Sequence, residues 1–258
     1  MSFWYLIEYR KFVGLIQRGV TVANILYAFV RFFKEEAHRD AFVRGDLYMN
    51  RLKFFKEYEE ELISNVGDEH EGLYAWLQPD KMTMTIDHPV TGEEIVVEGI
   101  AGPVTMGYSV HNDYHVYCMS TYYCDNAARF ETFEAMQAHI AIDIEKGDLG
   151  EYCTIIDSQK FLERLDQRLA VEAQSGSRVG RGLVEYFDPE IFSGFFDGDQ
   201  AILKKKNCFS HQKEYRVFVY NGTTGDDSRT LSIGDLSDIS INCRKNELDK
   251  CFIMTPKA

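Results

Sequence analysis

The sequence has few of the features that would assign it to the membrane-spanning, secreted or broadly nucleic-acid-binding classes. No apolar run approaches the roughly 20 residues that a membrane span needs, and the apolar N-terminus is followed by charges, whereas a signal peptide has them first. Lys and Arg number only 28 against 41 Asp and Glu, and the net charge of −13 argues against a broad phosphate-binding surface. A small basic groove remains compatible with this charge. We therefore predict a cytoplasmic protein without a membrane segment.

Common catalytic and metal-binding motifs are also missing. The six cysteines form no C-x-x-C pair, which favours buried free thiols in a reducing compartment over a disulfide framework. The sequence contains neither H-E-x-x-H nor G-x-S-x-G, and its histidines complete no ligand pattern, so we predict no metal and no hydrolase-type serine. The glycines of QSGSRVGRG (174–182) lack the strand–turn–helix context of a phosphate loop, and we predict a flexible link there.

The residues that are present predict a globular α+β fold. Hydrophobic residues make up 45% of the chain, including 18 Phe and 15 Tyr, so a sizeable core can form. Apolar periodicity predicts amphipathic helices over 1–22 and 159–173, a helix at 34–45, a segment over 56–72 that begins as a helix and ends in an acidic loop, and a helix over 128–144 with a strand at its end as an alternative. Strands are predicted at 24–33, 46–55, 103–110, 114–123, 152–158, 183–188 and 214–220, with a helical alternative for 46–55 and two short strands within 228–243. A hairpin is predicted at 81–99 and a short helix with loops at 189–206. Strands outnumber helices without strict β-α-β alternation. We predict a single domain over 23–258, with mixed or antiparallel sheets flanked by helices.

The stretch NCFSHQKEYRVFVY (207–220) is the most informative. A polar cluster runs directly into an apolar strand, and Gln212 and Glu214 stand two residues apart. In an extended chain this spacing places both side chains on one face. They therefore either form a solvated edge or point together into a cleft.

This stretch is similar to the catalytic element of ADP-ribosyltransferases, a Q-x-E or E-x-E at the start of a strand, preceded by a loop with an aromatic residue. That superfamily also has an Arg or His on an early strand and a Ser-Thr pair on a middle strand. Here Arg31 in NILYAFVRFF and Ser120-Thr121 in VYCMSTYY stand in the same order. The resemblance implies an ADP-ribosyltransferase-like fold with NAD as substrate.

The resemblance also implies roles at the NAD side of the site. Glu214 would stabilise the oxocarbenium-like ribose that forms when the nicotinamide bond breaks. Arg31 would pair with the pyrophosphate, and Ser120 and Thr121 would fix the strand and hydrogen-bond Glu214. Other candidates for the NAD-binding position are Tyr27, Asn50 and Arg51.

On the acceptor side, Gln212 would orient the acceptor, since a neutral amide suits a nucleobase or an amide. Phe209 would stack on it, with Tyr215 nearby, and the lysines Lys204, Lys205 and Lys206 would guide a phosphate-bearing acceptor. The expected acceptor is RNA, DNA or an amide-bearing protein.

A second resemblance covers about residues 24–220. YMNRLKFF, GDEHEG, HVYCMS, VEYFD and HQKEYRVF look like the motifs of a widespread bacterial and phage family, some of whose groups look like toxins or phage-defence effectors. This resemblance implies an antitoxin or chaperone partner, for which the helix predicted over 1–22 is a candidate docking element.

Simpler interpretations stand beside these. Arg31 would pair with Glu35 one turn on, Ser120-Thr121 would be ordinary strand residues, and Lys204–Lys206 a solvated run. Two other functions therefore stay open. One is a non-catalytic protein that binds partners in a defence complex, and the other is a metal-dependent nucleotide hydrolase that uses the acidic residues 68–71.

Overall fold

The structure, a computed structural model, describes residues 25–61, 68–124, 130–146 and 149–253. Its centre is an eight-stranded sheet built around two long apolar strands, β1 (Ile25–Phe33) and β7 (His115–Cys124). The other strands of this sheet are β2 (Asp46–Arg51), β8 (Tyr152–Asp157), β9 (Arg178–Leu183), β13 (Glu214–Tyr220), β14 (Arg229–Ser232) and β15 (Ser240–Arg244).

All pairings in the central sheet are antiparallel. Strand β13 lies along one edge of β7, with β9 outside it, while β1 and β2 share the other edge of β7. Strands β8 and β15 continue the sheet beyond β1, and β14 pairs with β2. The predicted α+β class with antiparallel sheets is confirmed.

Three helices lie between strands in sequence. Helix α1 (Glu36–Val43) follows β1, helix α2 (Leu52–Glu61) follows β2, and α3 (Phe133–Ile140) precedes β8.

One face of the sheet carries the largest apolar cluster. The long helix α4 (Ser158–Gln174) buries Phe161, Leu165 and Leu169 in this cluster. The helix predicted over 159–173 is thus confirmed.

The opposite face carries two separate apolar clusters, one at each end. Three smaller sheets lie beyond the central sheet. In the first, β3 (Leu73–Leu77) pairs antiparallel with both β6 (Val104–Gly107) and β11 (Gly194–Phe195). In the second, β10 (Glu185–Phe187) pairs parallel with β12 (Lys204–Lys206), and in the third β4 (Thr85–Asp87) pairs with β5 (Glu94–Val96) as the predicted hairpin. The short helix α5 (Leu248–Cys251) buries Leu248 in one of the two end clusters.

Two predicted segments were wrong in their bounds. The strand expected over 46–55 ends at Arg51, and its remaining residues take the helical alternative as the start of α2. The helix expected over 128–144 spans only α3, and residues 141–146 form no strand. The short helix expected within 189–206 is present as the 3₁₀ helix Gly198–Leu203, whereas the strands β11 and β12 of this segment were not predicted.

The predicted link at 174–182 instead contains strand β9. Its glycines are required by packing rather than by flexibility, because a Cβ at Gly180 would lie 2.2 Å from Cζ of Phe218 and one at Gly182 would lie 2.9 Å from Leu203 Cδ1. The Phe218 ring therefore packs directly on the backbone of β9 at Gly180.

Among the described residues, none of the helices has the length and apolarity to cross a membrane. The amphipathic helix predicted over 1–22 lies outside the described residues.

Candidate functional site

A cluster of buried charges fills the space between the two apolar clusters. It consists of Glu71, Lys205, Glu214 and Arg216, whose exposed fractions are 1%, 2%, 6% and 1%. Glu214 and Arg216 stand two residues apart on β13, opposite Ser120 and Cys118 of β7, so their side chains share one sheet face. Two carboxylates and two cations balance in charge.

Arg216 joins both carboxylates. Its Nε donates to Oε1 of Glu214 at 2.8 Å, and its Nη2 lies 2.7 Å from the same oxygen and 3.2 Å from Oε1 of Glu71. Its Nη1 donates to the carbonyl oxygen of Ile202 at 2.6 Å. A guanidinium buried this completely is fixed by its partners, so it holds Glu214 in one orientation.

Lys205 is the second cation. Its Nζ lies 2.9 Å from Oε1 of Glu71 and 3.5 Å from Oε2 of Glu214, and it donates to Oε1 of Gln212 at 3.0 Å. It also lies 4.7 Å from the centre of the buried Phe209 ring. The middle lysine of the predicted solvated run is thus an interior residue.

These contacts determine the charge of Glu214. Burial alone would raise its pKa, but the charges of Arg216 and Lys205, with a hydrogen bond from the Cys118 thiol, lower it to about 2. In turn, burial and the charge of Glu214 raise the pKa of Cys118. Glu214 is therefore an ionised carboxylate and Cys118 a neutral thiol near neutral pH.

A second ion pair lies beside the cluster. Lys206 Nζ is 3.0 Å from Oδ1 of Asp68 and 3.2 Å from Nδ1 of His70, and the backbone amide of His70 also donates to Asp68. Burial would raise the pKa of Asp68, but these hydrogen bonds lower it to about 2. Asp68 and Glu71 are therefore paired with protein cations, and the described parts of the chain hold no group of three or more His, Cys, Asp or Glu able to bind a metal. This arrangement gives the metal-hydrolase alternative no support.

Gln212 and Glu214 meet at Lys205, but not in the way that the two-residue spacing predicts. Lys213 between them has φ 45° and ψ 50°, and it is the only non-glycine residue with positive φ in the described ranges. The chain turns at Lys213 and becomes a strand only at Glu214. Glu214 is buried and Gln212 is half-buried beside Lys205, so the solvated-edge alternative is excluded for Glu214.

Only one hydroxyl of the Ser-Thr pair shares the face of Glu214. Ser120 stands directly opposite it in the β7–β13 register, whereas Thr121 points to the other face and donates to the carbonyl oxygen of Ala28 at 3.0 Å. The expected hydrogen bond from Thr121 to Glu214 is therefore wrong, and Thr121 instead ties β7 to β1.

Arg31 also lies on the wrong face. Val30 is the residue opposite Ser120, so the next residue, Arg31, points away from Glu214. Its guanidinium carbon lies 5.2 Å from the Tyr117 ring centre and 5.8 Å from that of Phe33. The prediction that Arg31 and Glu214 share a crevice is wrong. Arg31 is one residue beyond the position opposite Ser120, so its side chain and that of Glu214 lie on opposite sides of the sheet.

Tyr215 points to that same opposite face. Its ring packs against Phe29 at 4.7 Å, and its hydroxyl accepts from Arg181 Nη1 at 2.6 Å. Tyr215 is thus a core residue and does not line an acceptor site with Glu214.

Three further candidates lie away from the cluster. Arg51 is buried and donates to the carbonyl oxygens of Asp113 and Thr223, which fixes two loops. Asn50 pairs with Val116, four residues before Ser120 on β7, and Tyr27 packs on the apolar cluster at the other end of the sheet. The structure does not bring these three residues to Glu214.

An aromatic cleft adjoins the charge cluster. It has a volume of about 410 Å³ and is lined by Glu185, Tyr186, Phe187, Phe192, Phe195, Phe196, Asp197, Gln200 and Lys204. Phe192 and Phe196 stack with centroids 4.7 Å apart and planes 6° apart. Tyr186 connects the cleft to the cluster, because its hydroxyl accepts a hydrogen bond from the backbone amide of Glu214 at 3.0 Å. Burial and the charge of Glu214 raise the pKa of Tyr186, which keeps the phenol neutral.

Sequence reasoning missed Cys118, Tyr186 and Arg216 as members of the site and gave Glu71 and Lys205 other roles. All five contact Glu214 or its cations. For Arg216 a signal existed, since Glu214 and Arg216 are separated by one residue within a strand and opposite charges at that spacing form pairs on one face. For Glu71 the signal was its position in the acidic stretch GDEHEG. The sequence does not identify the cation that pairs with Glu71.

In comparisons with known proteins, no family model, curated protein or solved structure matches the chain.

Proposed function

We propose that the protein transfers ADP-ribose from NAD, with Glu214 as the residue that stabilises the reacting sugar. The observation that carries this proposal is the ionised, buried carboxylate of Glu214, whose backbone amide is tied to a wall residue of the aromatic cleft. A fixed negative charge in a site of low polarity stabilises developing positive charge far more than it would in water.

The chemistry requires such a charge. The bond between ribose C1′ and the nicotinamide nitrogen breaks, nicotinamide leaves with the electron pair, and positive charge develops at C1′ and the ring oxygen. The acceptor nucleophile then forms a bond to C1′ and releases its proton. In this scheme Glu214 faces the ribose, and Arg216 and Lys205 keep its carboxylate oriented.

The cleft offers a place for the planar rings of NAD. Its volume of about 410 Å³ lies within the range of small-molecule pockets, and the stacked Phe192 and Phe196 suit a heteroaromatic ring. Lys204 at its wall, 5.9 Å from the Phe196 ring centre and paired with Glu185, is positioned for a phosphate in place of Arg31.

For the acceptor we propose RNA, DNA or an amide-bearing protein, with Gln212 as the residue that orients it. The motif resemblance supports a toxin or phage-defence effector, held by an antitoxin or chaperone until it acts. Both statements rest on the sequence pattern and on the position of Gln212 beside Lys205.

The test compares Glu214→Gln with Glu71→Gln in purified protein. Each change removes one buried carboxylate from the same cluster and upsets the charge balance equally, but only Glu214 is tied to the cleft through Tyr186. We expect Glu214→Gln to lower nicotinamide release from NAD by at least about 100-fold, while Glu71→Gln keeps most of the activity. Circular dichroism confirms that both variants are folded.

Equal activity of the two variants, or no nicotinamide release by the folded wild-type protein with total cell extract present, would overturn the proposal. In the first case Glu214 is structural, and in the second the protein does not consume NAD.

A second candidate function is a non-catalytic partner-binding protein. It is favoured by the internal pairing of Glu214, because a carboxylate held by Arg216, Lys205 and Cys118 has the contacts of a core ion pair. Under this function Glu214→Gln lowers stability and leaves partner binding unchanged. Pull-down of a partner from cells that carry either form of the protein separates the two functions.

A further inference from the structure

Three cysteines meet at one edge of the central sheet. Cys153 on β8 and Cys243 on β15 are directly opposite in the antiparallel register, and their sulfur atoms lie 3.1 Å apart. Cys251 on α5 lies near enough to Cys243 for the two thiols to shift each other's pKa. Cys243 therefore lies between two other thiols, an arrangement that the spacing of the cysteines in the sequence does not reveal.

The backbone at this pair permits a disulfide without rearrangement. Directly opposed residues of antiparallel strands have Cα atoms about 4.5 or 5.5 Å apart, and both values fall within the range of roughly 4.4–6.8 Å found for disulfides. The side chains already point at each other, since the sulfur atoms are in contact. Rotation about the side-chain torsions is all that closure needs.

We propose that Cys153 and Cys243 are a site of oxidative modification, where a peroxide converts the two thiols into a cross-strand disulfide. Cys243 is partly exposed whereas Cys153 is enclosed, so the peroxide reaches Cys243. The Cys243 sulfur displaces one oxygen of hydrogen peroxide, which yields a sulfenic acid and water. The Cys153 sulfur then attacks the sulfenic sulfur, and the displaced hydroxide leaves as water with the Cys153 proton. Two thiols and one peroxide thus give one disulfide and two waters.

The environment sets the order and speed of these steps. The hydrogen bond from Cys243 lowers the pKa of Cys153, which favours Cys153 as the attacking thiolate. The same hydrogen bond, with burial, raises the pKa of Cys243, which slows its first reaction with peroxide.

The disulfide would fasten the last part of the described chain. Strand β15 is an edge strand of the sheet, and among the described residues after it Phe252 stacks on Tyr122 with ring centroids 3.9 Å apart. A bond between residues 90 apart in sequence restricts the unfolded chain. Oxidation is thus expected to raise the melting temperature, and reduction with dithiothreitol to restore it.

The experiment treats the folded protein with hydrogen peroxide, removes the peroxide, unfolds the protein in denaturant, blocks the remaining thiols by alkylation, and maps linked peptides by mass spectrometry. We expect a Cys153–Cys243 linked peptide, a loss of two of the six alkylatable thiols, and a higher melting temperature that dithiothreitol reverses. The exposed Cys208 provides the matched control, because Cys208→Ser is expected to form the same link. The Cys243→Ser variant is expected to lose it.

Two outcomes would overturn the proposal. One is complete alkylation of Cys153 and Cys243 after peroxide treatment. The other is a Cys243–Cys251 link in place of the Cys153–Cys243 link. Because both are measured on the wild-type chain, the test does not depend on whether any variant folds, and it is independent of NAD consumption.

Discussion

The balanced charge cluster makes a direct prediction about stability. Lys205→Met removes one of two buried cations and leaves Glu71 and Glu214 with Arg216 between them. Glu71 loses its 2.9 Å partner in a site where its exposed fraction is 1%. The variant therefore holds an uncompensated negative charge in the interior.

The magnitude follows from this geometry. Removing one partner of a buried ion pair costs about 3–5 kcal/mol, mostly because the remaining charge stays buried. A second change, Glu71→Gln, removes that surplus charge and leaves the Glu214–Arg216 pair intact. We therefore expect the double variant to be more stable than the sum of the two single changes predicts, by about 1–3 kcal/mol.

Urea unfolding followed by circular dichroism measures these free energies for the wild-type protein, both single variants and the double variant. Lys53→Met is the control, because its partner Asp226 is exposed and surface ion pairs contribute about 0–1 kcal/mol. If Lys205→Met costs no more than this control, or if the two changes add without coupling, the cluster does not stabilise the fold through charge balance.

Three further predictions concern other parts of the fold. The pKa of Glu214 is lowered from 4.5 to about 2, so its ionised carboxylate contributes about 3 kcal/mol to the free energy of unfolding above pH ~4.5, and this contribution disappears as the pH falls through ~2. Acid unfolding of the wild-type protein and of Glu214→Gln measures the contribution, and equal acid sensitivity of the two proteins would contradict it. Gly180→Ala places a Cβ 2.2 Å from Phe218 Cζ, so we expect a loss of about 1–3 kcal/mol in urea unfolding, and a neutral result would show that the ring moves easily. Arg31→Met is expected to leave NAD consumption unchanged, since Arg31 lies on the face away from Glu214, and a drop of about tenfold or more would refute the face assignment.

Local patterns in the sequence predicted much of the sheet. The apolar strands β1, β7, β8 and β13 were found near their observed bounds, as was the amphipathic helix α4. Strand β9 was missed because Gly180 and Gly182 look like linker residues, whereas they make room for Phe218 and Leu203. That packing depends on contacts between distant segments, which local propensity does not contain.

The candidate site was also predicted only in part, because it too depends on contacts between distant segments. Of the two alternatives left open for Glu214, the structure shows the inward-pointing one. Arg31 and Thr121 were assigned to the face of Glu214, although strand register places them on the other face. A family-like order of residues along a chain does not specify which face each occupies, since a register change of one residue reverses it.

The composition of the charge cluster follows from a physical requirement, even though its partners could not be named in advance. Because Glu214 opens a strand whose residues through Val219 are buried, an ionised carboxylate there needs cations. Arg216, two residues on, meets this need locally, whereas Glu71 lies 145 residues from Arg216 in sequence and reaches it only because the chain folds. The motifs GDEHEG and HQKEYRVF therefore contribute charged side chains to one cluster, together with Lys205, which lies between them in sequence. Any function assigned to Glu214 has to account for the ion pairs that already hold it.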